Sequence, residues 1–252
     1  MNELRGLFFD FDGTIAETER FGQRVAYNRA FADLGLDWHW DEEMYGDLLQ
    51  IAGGQERIRY YLARYRPDIL AGAMESGLVA EAHRAKVRHF APIAATIPFR
   101  PGVERLMREA HQAGIRIGIA TTASLAGVEA LLAQNPSVRP MIDVIAANES
   151  VARKKPAPDV YLWARQQLGL EAHACIALED SHVGLTAALG AQLTTVVTPS
   201  DYTGGEDFTG AAAVLSNLGE PDRSAATLRG AAPRNGYVDV DYLRSVLQAR
   251  AR

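Results

Sequence analysis

One cysteine occurs in 252 residues, Cys175, so no internal disulfide can form. It sits inside the apolar run ACIAL and reads as a small buried residue in a reducing compartment. No uninterrupted apolar run reaches the ~20 residues of a membrane span. The opening MNELRG passes directly into a strand-like run, leaving no room for a signal or transit peptide. A soluble, cytoplasmic chain with no membrane partner is expected. Positive charge is short as well: 26 Lys and Arg face 31 Asp and Glu, a net charge of −5, which gives no general attraction to nucleic acid. Internal repeats and low-complexity tracts are absent. What remains is an ordinary soluble globular composition, at a length that allows one large domain or a core with an insertion. A monomer is expected.

The first pattern is a strand over Leu7–Phe11. From about Thr18 to Leu36 the apolar residues take helical spacing, with Gly35 as a stop. Further helices are expected from near Asp41, over Gln55–Tyr65 ending before Pro67, and from about Glu75 to Phe90. No strand-like alternation interrupts this region, which reads as an all-helical insertion, residues 17–93. The pattern then reverses. A helix from Pro101-Gly102 to Ala113 precedes the strand IRIGIATT (Ile115–Thr122), a helix near Leu125–Ala133 and the strand Ile142–Ala147. Pro156 is placed near the first turn of a helix to about Leu168, where proline is tolerated. The strand Cys175–Asp180, a helix near Val183–Leu189 and the strand Leu193–Thr198 follow. Ala212–Leu215 is expected as an edge strand, Gly219–Gly236 as a long surface loop and Val238–Gln248 as a closing amphipathic helix. Alternating helices and apolar strands indicate a doubly wound, Rossmann-like α/β parallel sheet with a helical cap inserted after its first strand. The core comprises residues 1–16 and 94–252.

In such sheets ligands bind beyond the carboxyl ends of the strands. The run LFFDFDGT (Leu7–Thr14) puts Asp10 and Asp12 on one face, where two carboxylates repel unless a cation or shared proton compensates. Alone it also reads as an Asp-Gly turn that ends a strand. Successive strand ends add Thr121 and Thr122, then Lys154 and Lys155 in ARKKPAP, then Glu179 and Asp180. Each has a bland reading as a cap or a solvated charge; their recurrence at one sheet edge is what favours chemistry.

The set suits phosphoryl transfer through an aspartyl-phosphate. Asp10 would attack phosphorus. Asp12 would protonate the departing alkoxide and then deprotonate the hydrolytic water. Mg²⁺ favours oxygen ligands and keeps some waters; Asp10, Asp180 and the Asp12 backbone carbonyl would hold it, with Glu179 just behind. Lys155 and the Thr121 hydroxyl would hold the phosphoryl oxygens.

The order DFDGT, IATT, KKPAPDVY, LEDSHVG resembles the haloacid-dehalogenase superfamily, with all four of its motifs present. The insertion resembles the cap of its β-phosphoglucomutase-like branch. Dehalogenases and phosphonatase-like members lack an acid/base Asp two residues after the nucleophile, so Asp12 favours phosphate esters. More narrowly, FFDFDGTIAETE, IAGGQERI, FRPGV and PSDYTGGEDFTGA are similar to the CbbY family. That resemblance implies a Mg²⁺-dependent phosphatase converting xylulose-1,5-bisphosphate, a Rubisco inhibitor, to xylulose 5-phosphate. Gln55 departs from it, since many relatives carry Lys there. A phosphomutase shares every core motif and stays open, as does a broad sugar phosphatase. A non-enzymatic binding protein is disfavoured by the intact acid pair and lysine.

A small sugar bisphosphate has a second anionic end. Candidates to hold it are the turn Gln50, Ile51, Ala52, Gly53 and Gly54, whose N–H groups open a helix, with His83, Arg84 and Lys86. Arg100 is expected to reach an anion by a bidentate contact, and Glu17 to accept from sugar hydroxyls. Trp38 and Trp40 are expected to pack within the cap.

Overall fold

The computed structural model describes residues 3–51 and 53–250. Its first strand, β1 (Gly6–Phe9), lies inside the sheet with all four residues buried. Five more strands, β2 (Arg116–Ala120), β3 (Val144–Ala146), β4 (Cys175–Glu179), β5 (Thr194–Val197) and β6 (Ala213–Leu215), run parallel with it, and β7 (Thr227–Arg229) closes one edge antiparallel to β6. The order across the sheet is β3-β2-β1-β4-β5-β6-β7. Phe9 stands opposite Ile119 on one side and Leu178 on the other. Chain order therefore runs outward from β1 to β3 and then crosses back to β4, so the topological switch lies beside β1, where ligands bind in such sheets.

Both sheet faces are covered, as the continuous apolar strands require. On one face, α8 (Asp159–Leu168) and α9 (His182–Gly190) pack their buried Val160, Tyr161, Ala187 and Ala188 against Phe8, Cys175 and Ala177. On the other, α6 (Val103–Gln112) and α10 (Val240–Arg250) meet the sheet and each other. A further helix, α7 (Leu125–Ala133), begins at Ser124, whose hydroxyl accepts from the Gly127 N–H.

The chain divides into two compact units, Met1–Glu17 with Pro98–Arg252, and Thr18–Ile97. The second contains α1 (Arg24–Asp33), α2 (Glu42–Leu48), α3 (Gly54–Tyr65), α4 (Pro67–Glu75) and α5 (Leu78–Ala94). Its core is aromatic: Trp40 is fully buried, its ring 4.5 Å from Tyr27, 5.0 Å from Phe31 and 5.4 Å from Tyr61. Trp38 joins it at 5.2 Å from Phe31. Both tryptophans are packing residues.

Several boundaries differ from the sequence reading. The helix expected to stop before Pro67 ends at Tyr65, but Pro67 then opens α4, a helix the sequence reading did not include, because the first helical position needs no N–H. The following helix begins after Gly77 at Leu78 and continues past Phe90 to Ala94. Pro156 lies outside any helix, in a loop with a cis Lys155–Pro156 peptide, and α8 starts only at Asp159. The edge of the sheet is β7, from the stretch read as loop; its three residues are all exposed, so no apolar alternation marked them. No helix among the described residues is long and apolar enough to cross a membrane.

Candidate active site

Four buried ionisable groups converge at the carboxyl ends of β1 and β4. Asp10 directly follows β1, and its N–H continues the ladder to the Leu178 carbonyl at 2.9 Å. Glu179 ends β4 and Asp180 follows it. Lys155 comes from the loop after β3 and extends inward. Its neighbours fix that direction: Arg153 makes a two-point pair with Asp159 at 2.9 and 2.7 Å, and the Lys154 ammonium donates to the carbonyls of Asn148 and Val151.

The Lys155 Nζ stands 2.6 Å from Asp10 Oδ1 and 2.6 Å from Glu179 Oε1. Tyr161, in the first turn of α8, donates its hydroxyl to Glu179 Oε1 at 2.5 Å and lays its ring 4.9 Å from the ammonium. Burial disfavours the Lys155 charge, yet the two carboxylates outweigh it and hold its pKa above the ordinary lysine value. The carboxylates are less well served. Burial pushes Glu179 up to about 7 against the opposing pull of Lys155. Burial, together with the charges of Asp10 and Glu179, pushes Asp180 well above the usual range.

The Lys155 ammonium thus pairs with two of the three buried carboxylates, and the charge of the Arg100 guanidinium bears on the third, Asp180. Oxygens of Asp10, Glu179 and Asp180 lie within 4.8 Å of one another, a hard-oxygen donor set of the kind that suits a divalent cation. The backbone is shaped for it. Gly13 has φ +83°, and a Cβ there would stand 2.3 Å from Asp180 Oδ2, so only glycine lets the Asp10–Asp12 turn approach this carboxylate. Asp180 is held from behind: the Thr203 hydroxyl donates to its carbonyl at 2.7 Å, and Ser200 Oγ lies 3.0 Å from Thr203 Oγ1.

Asp12 is half-buried in the turn after β1, bridged through its backbone to Ala16. Thr121 follows β2, is buried, and accepts the Ala123 N–H at 2.9 Å; its hydroxyl proton is what it can offer a ligand. Thr122 is exposed. Glu179, expected behind the metal ligands, has an oxygen inside the acidic group, although its Oε1 is committed to Lys155 and Tyr161. Arg100, expected to bind an anion, turns its guanidinium onto backbone carbonyls and onto Glu17, 2.9 Å away.

The remaining candidates belong to the helical unit. Gly53 precedes α3 and Gly54 opens it, with the Tyr27 hydroxyl donating to the Gly54 carbonyl at 3.2 Å. The His83 ring stands against Gly54; its Nδ1 is buried with no hydrogen-bond partner, and burial with Lys86 nearby lowers its pKa. Lys86 lies 5.2 Å from the rings of both Tyr27 and Phe90. Gln50 and Arg84 are exposed and Ile51 is half-buried, while Ala52 lies outside the described residues. Sequence reasoning gave no role to Tyr161, Ser200, Thr203 or Gly184. Tyr161 was readable in KKPAPDVY, six residues after the lysine and on the helix that the motif opens.

The family model for haloacid dehalogenase-like hydrolases matches residues 4–192. Curated relatives include the plasmid-borne protein CbbY of Cupriavidus necator, 43% identical over 222 residues (86% of this chain, 87% of that protein), and protein CbbY of Rhodobacter capsulatus, 45% identical over 228 residues (89% and 96%). Among solved structures, CbbY from Rhodobacter sphaeroides in complex with phosphate matches with a TM-score of 0.75 at 42% identity, covering 85% of this chain and 94% of that one. A mutant of the same protein, in complex with xylulose-(1,5)bisphosphate, matches equally. A β-phosphoglucomutase from Clostridium difficile shares the fold, with a TM-score of 0.71 at 19% identity over 98% of this chain and 99% of that one.

Proposed function

The chain belongs to the haloacid dehalogenase-like hydrolases and is a phosphatase of that family, and from that premise we propose that it hydrolyses xylulose-1,5-bisphosphate to xylulose 5-phosphate with the help of Mg²⁺. The observation that carries the chemistry is the Lys155 ammonium set 2.6 Å from Asp10 Oδ1 beside the Asp180 carboxylate. Asp10 is thereby oriented as an attacking carboxylate next to a cation that can take up phosphoryl charge.

In the first step an Asp10 oxygen bonds to phosphorus as the ester P–O bond breaks, and Asp12 gives its proton to the leaving alkoxide. In the second, Asp12 takes a proton from water, whose oxygen bonds to phosphorus and frees the Asp10 carboxylate and inorganic phosphate. Lys155 and Thr121 hold the phosphoryl oxygens throughout, as donors already placed where charge develops. Asp10 and Asp180, with the Asp12 carbonyl, would hold Mg²⁺, which when bound offsets the repulsion between carboxylate and phosphate. The fit of the site to a divalent ion rests on the oxygens of Asp10, Glu179 and Asp180 lying within 4.8 Å of one another; burial first, and their mutual repulsion with it, raises the Glu179 and Asp180 pKa values in the same direction.

Substrate choice is assigned to the helical unit. The N–H groups at the start of α3, with His83, Arg84 and Lys86, are proposed to read the second phosphate, and Glu17 a sugar hydroxyl. Support for the bisphosphate comes from the relative whose complex contains it, 42% identical over most of both chains. The test is phosphate release from pentose and hexose mono- and bisphosphates with and without Mg²⁺, following any isomerised sugar phosphate in parallel. Strong preference for the pentulose bisphosphate is expected; a flat profile would indicate a broad sugar phosphatase, and an isomer without free phosphate a phosphomutase. Asp10→Asn should lower turnover by at least about 10³-fold, as loss of a nucleophile does.

A further inference from the structure

Arg100 follows the return of the chain from the helical insertion. Its backbone N–H donates to the Ile15 carbonyl at 2.8 Å, and Phe99 bridges Ala16, so its side chain starts beside the turn that carries Asp12. A guanidinium has five N–H donors in one plane and accepts nothing. Here Nε meets Glu17 Oε1 at 2.9 Å. Nη1 donates to the carbonyls of Gly13 and Thr198, the latter at 2.7 Å, with the Thr198 hydroxyl at 3.3 Å. Nη2 donates to the carbonyls of Pro199 at 2.7 Å and Ser216 at 3.4 Å. The acceptors come from the turn after β1 and from the ends of β5 and β6. A fork engaged in this way has no donor left for a substrate phosphate, but it fixes where the Gly13 carbonyl stands, one peptide from Asp12.

Resting on the phosphatase reading above, we infer that Arg100 is a positioning residue that holds the Gly13 carbonyl so that Asp12 can deliver its proton, and not an anion-binding residue. The consequence depends on the leaving group. A sugar alkoxide needs its proton as the P–O bond breaks; p-nitrophenolate is stable enough to depart without one. Displacing Asp12 should therefore slow sugar phosphates and spare the first turnover of p-nitrophenyl phosphate.

Wild type, Arg100→Gln and Arg100→Lys are compared in three assays: phosphate release from a sugar monophosphate, phosphate release from a sugar bisphosphate, and stopped-flow release of p-nitrophenolate in the first turnover. Arg100→Gln should lower kcat on both sugars about 10²-fold, the cost of a misplacement of about 1 Å, with KM and the first-turnover rate within about threefold of wild type. Arg100→Lys keeps the charge without the planar fork and should fall between. A KM rise confined to the bisphosphate would make Arg100 an anion ligand and overturn the inference. Equal losses in all three assays would make it a scaffold only, and full activity in Arg100→Lys would make the fork dispensable; either overturns it. Circular dichroism checks the fold, and if Arg100→Gln does not fold, Arg100→Lys carries the same three-way comparison. No phosphate release by wild type would instead sink the phosphatase reading.

Discussion

Gly184, in the first turn of α9, lies so close to Glu179 that a Cβ there would stand 1.9 Å from Oε2. Helix propensity alone would favour alanine at this position by about 1 kcal/mol. The overlap is with a carboxylate that is fully buried and tied to Lys155 and Tyr161, so it cannot swing away. We expect the clash to win: Gly184→Ala should destabilise the protein by about 1–3 kcal/mol. It should also cost about 10²-fold in kcat, because Lys155 moves with Glu179. Urea unfolding and phosphate release check the two parts, and a stabilised Gly184→Ala would refute the steric argument.

Lys155 is the cation between Asp10 and Glu179, buried with both. Removing one partner of a buried ion pair leaves the others uncompensated, typically at about 3–5 kcal/mol. Lys155→Met should therefore lose about that much unfolding free energy in EDTA. Mg²⁺ should restore more stability to this variant than to wild type, since it supplies the charge that was removed. Turnover should not return with stability, because the proposed donor to the phosphoryl oxygens is gone. Denaturant titrations with and without Mg²⁺ read the first effect and phosphate release the second.

Tyr161 has its hydroxyl on Glu179 Oε1 at 2.5 Å and its ring against the Lys155 ammonium. Tyr161→Phe keeps the ring and removes the bond. Hydrogen bonds to charged groups contribute about 1.5–3 kcal/mol, so a stability loss in that range is expected. The first measurement is a melting curve; a variant as stable as wild type would show that the hydroxyl contributes nothing net.

Much of the candidate site was legible because its residues lie at strand ends. A run such as LFFDFDGT announces the strand by its apolar residues, and the strand's end fixes where Asp10 must be. The same holds for Glu179 and Asp180 after CIAL. The contacts of Arg100 were not legible because a charge in FRPGV gives no hint of its acceptors, four of which are backbone carbonyls that only the fold assembles. Gly184 was passed over because, inside HVGLTAALG, a glycine without a turn looks dispensable; its reason is a side chain on another element. The strand Thr227–Arg229 lacked a signal for the opposite reason, being exposed along its whole length. Residues in the helical unit remain the least legible, since basic side chains at helical spacing look alike whether they are solvated or face a ligand.

The acidic cluster also dictates how stability follows pH. Glu179 is pushed from 4.5 up to about 7 by burial, and Asp180 is raised in the same direction by burial and by its acidic neighbours. Between those values the folded protein binds protons that the unfolded chain has released, so the slope of unfolding free energy against pH is negative. The contribution of these groups is fully present below about pH 4.5 and is lost as pH rises through about 7. Other carboxylates titrate too, so the comparison is with Glu179→Gln, which lacks this group: in EDTA, wild type should lose stability relative to the variant as pH rises from about 5 to about 8. Mg²⁺ competes with the same protons. It should raise the melting temperature little near pH 5 and more near pH 8, where a hundredfold excess over its dissociation constant stabilises the fold by about 2.7 kcal/mol. Calorimetric scans at both pH values, with and without Mg²⁺, measure all four corners. If Mg²⁺ stabilised equally at pH 5 and pH 8, Asp180 would not be among its ligands, and the ion would have to be held elsewhere.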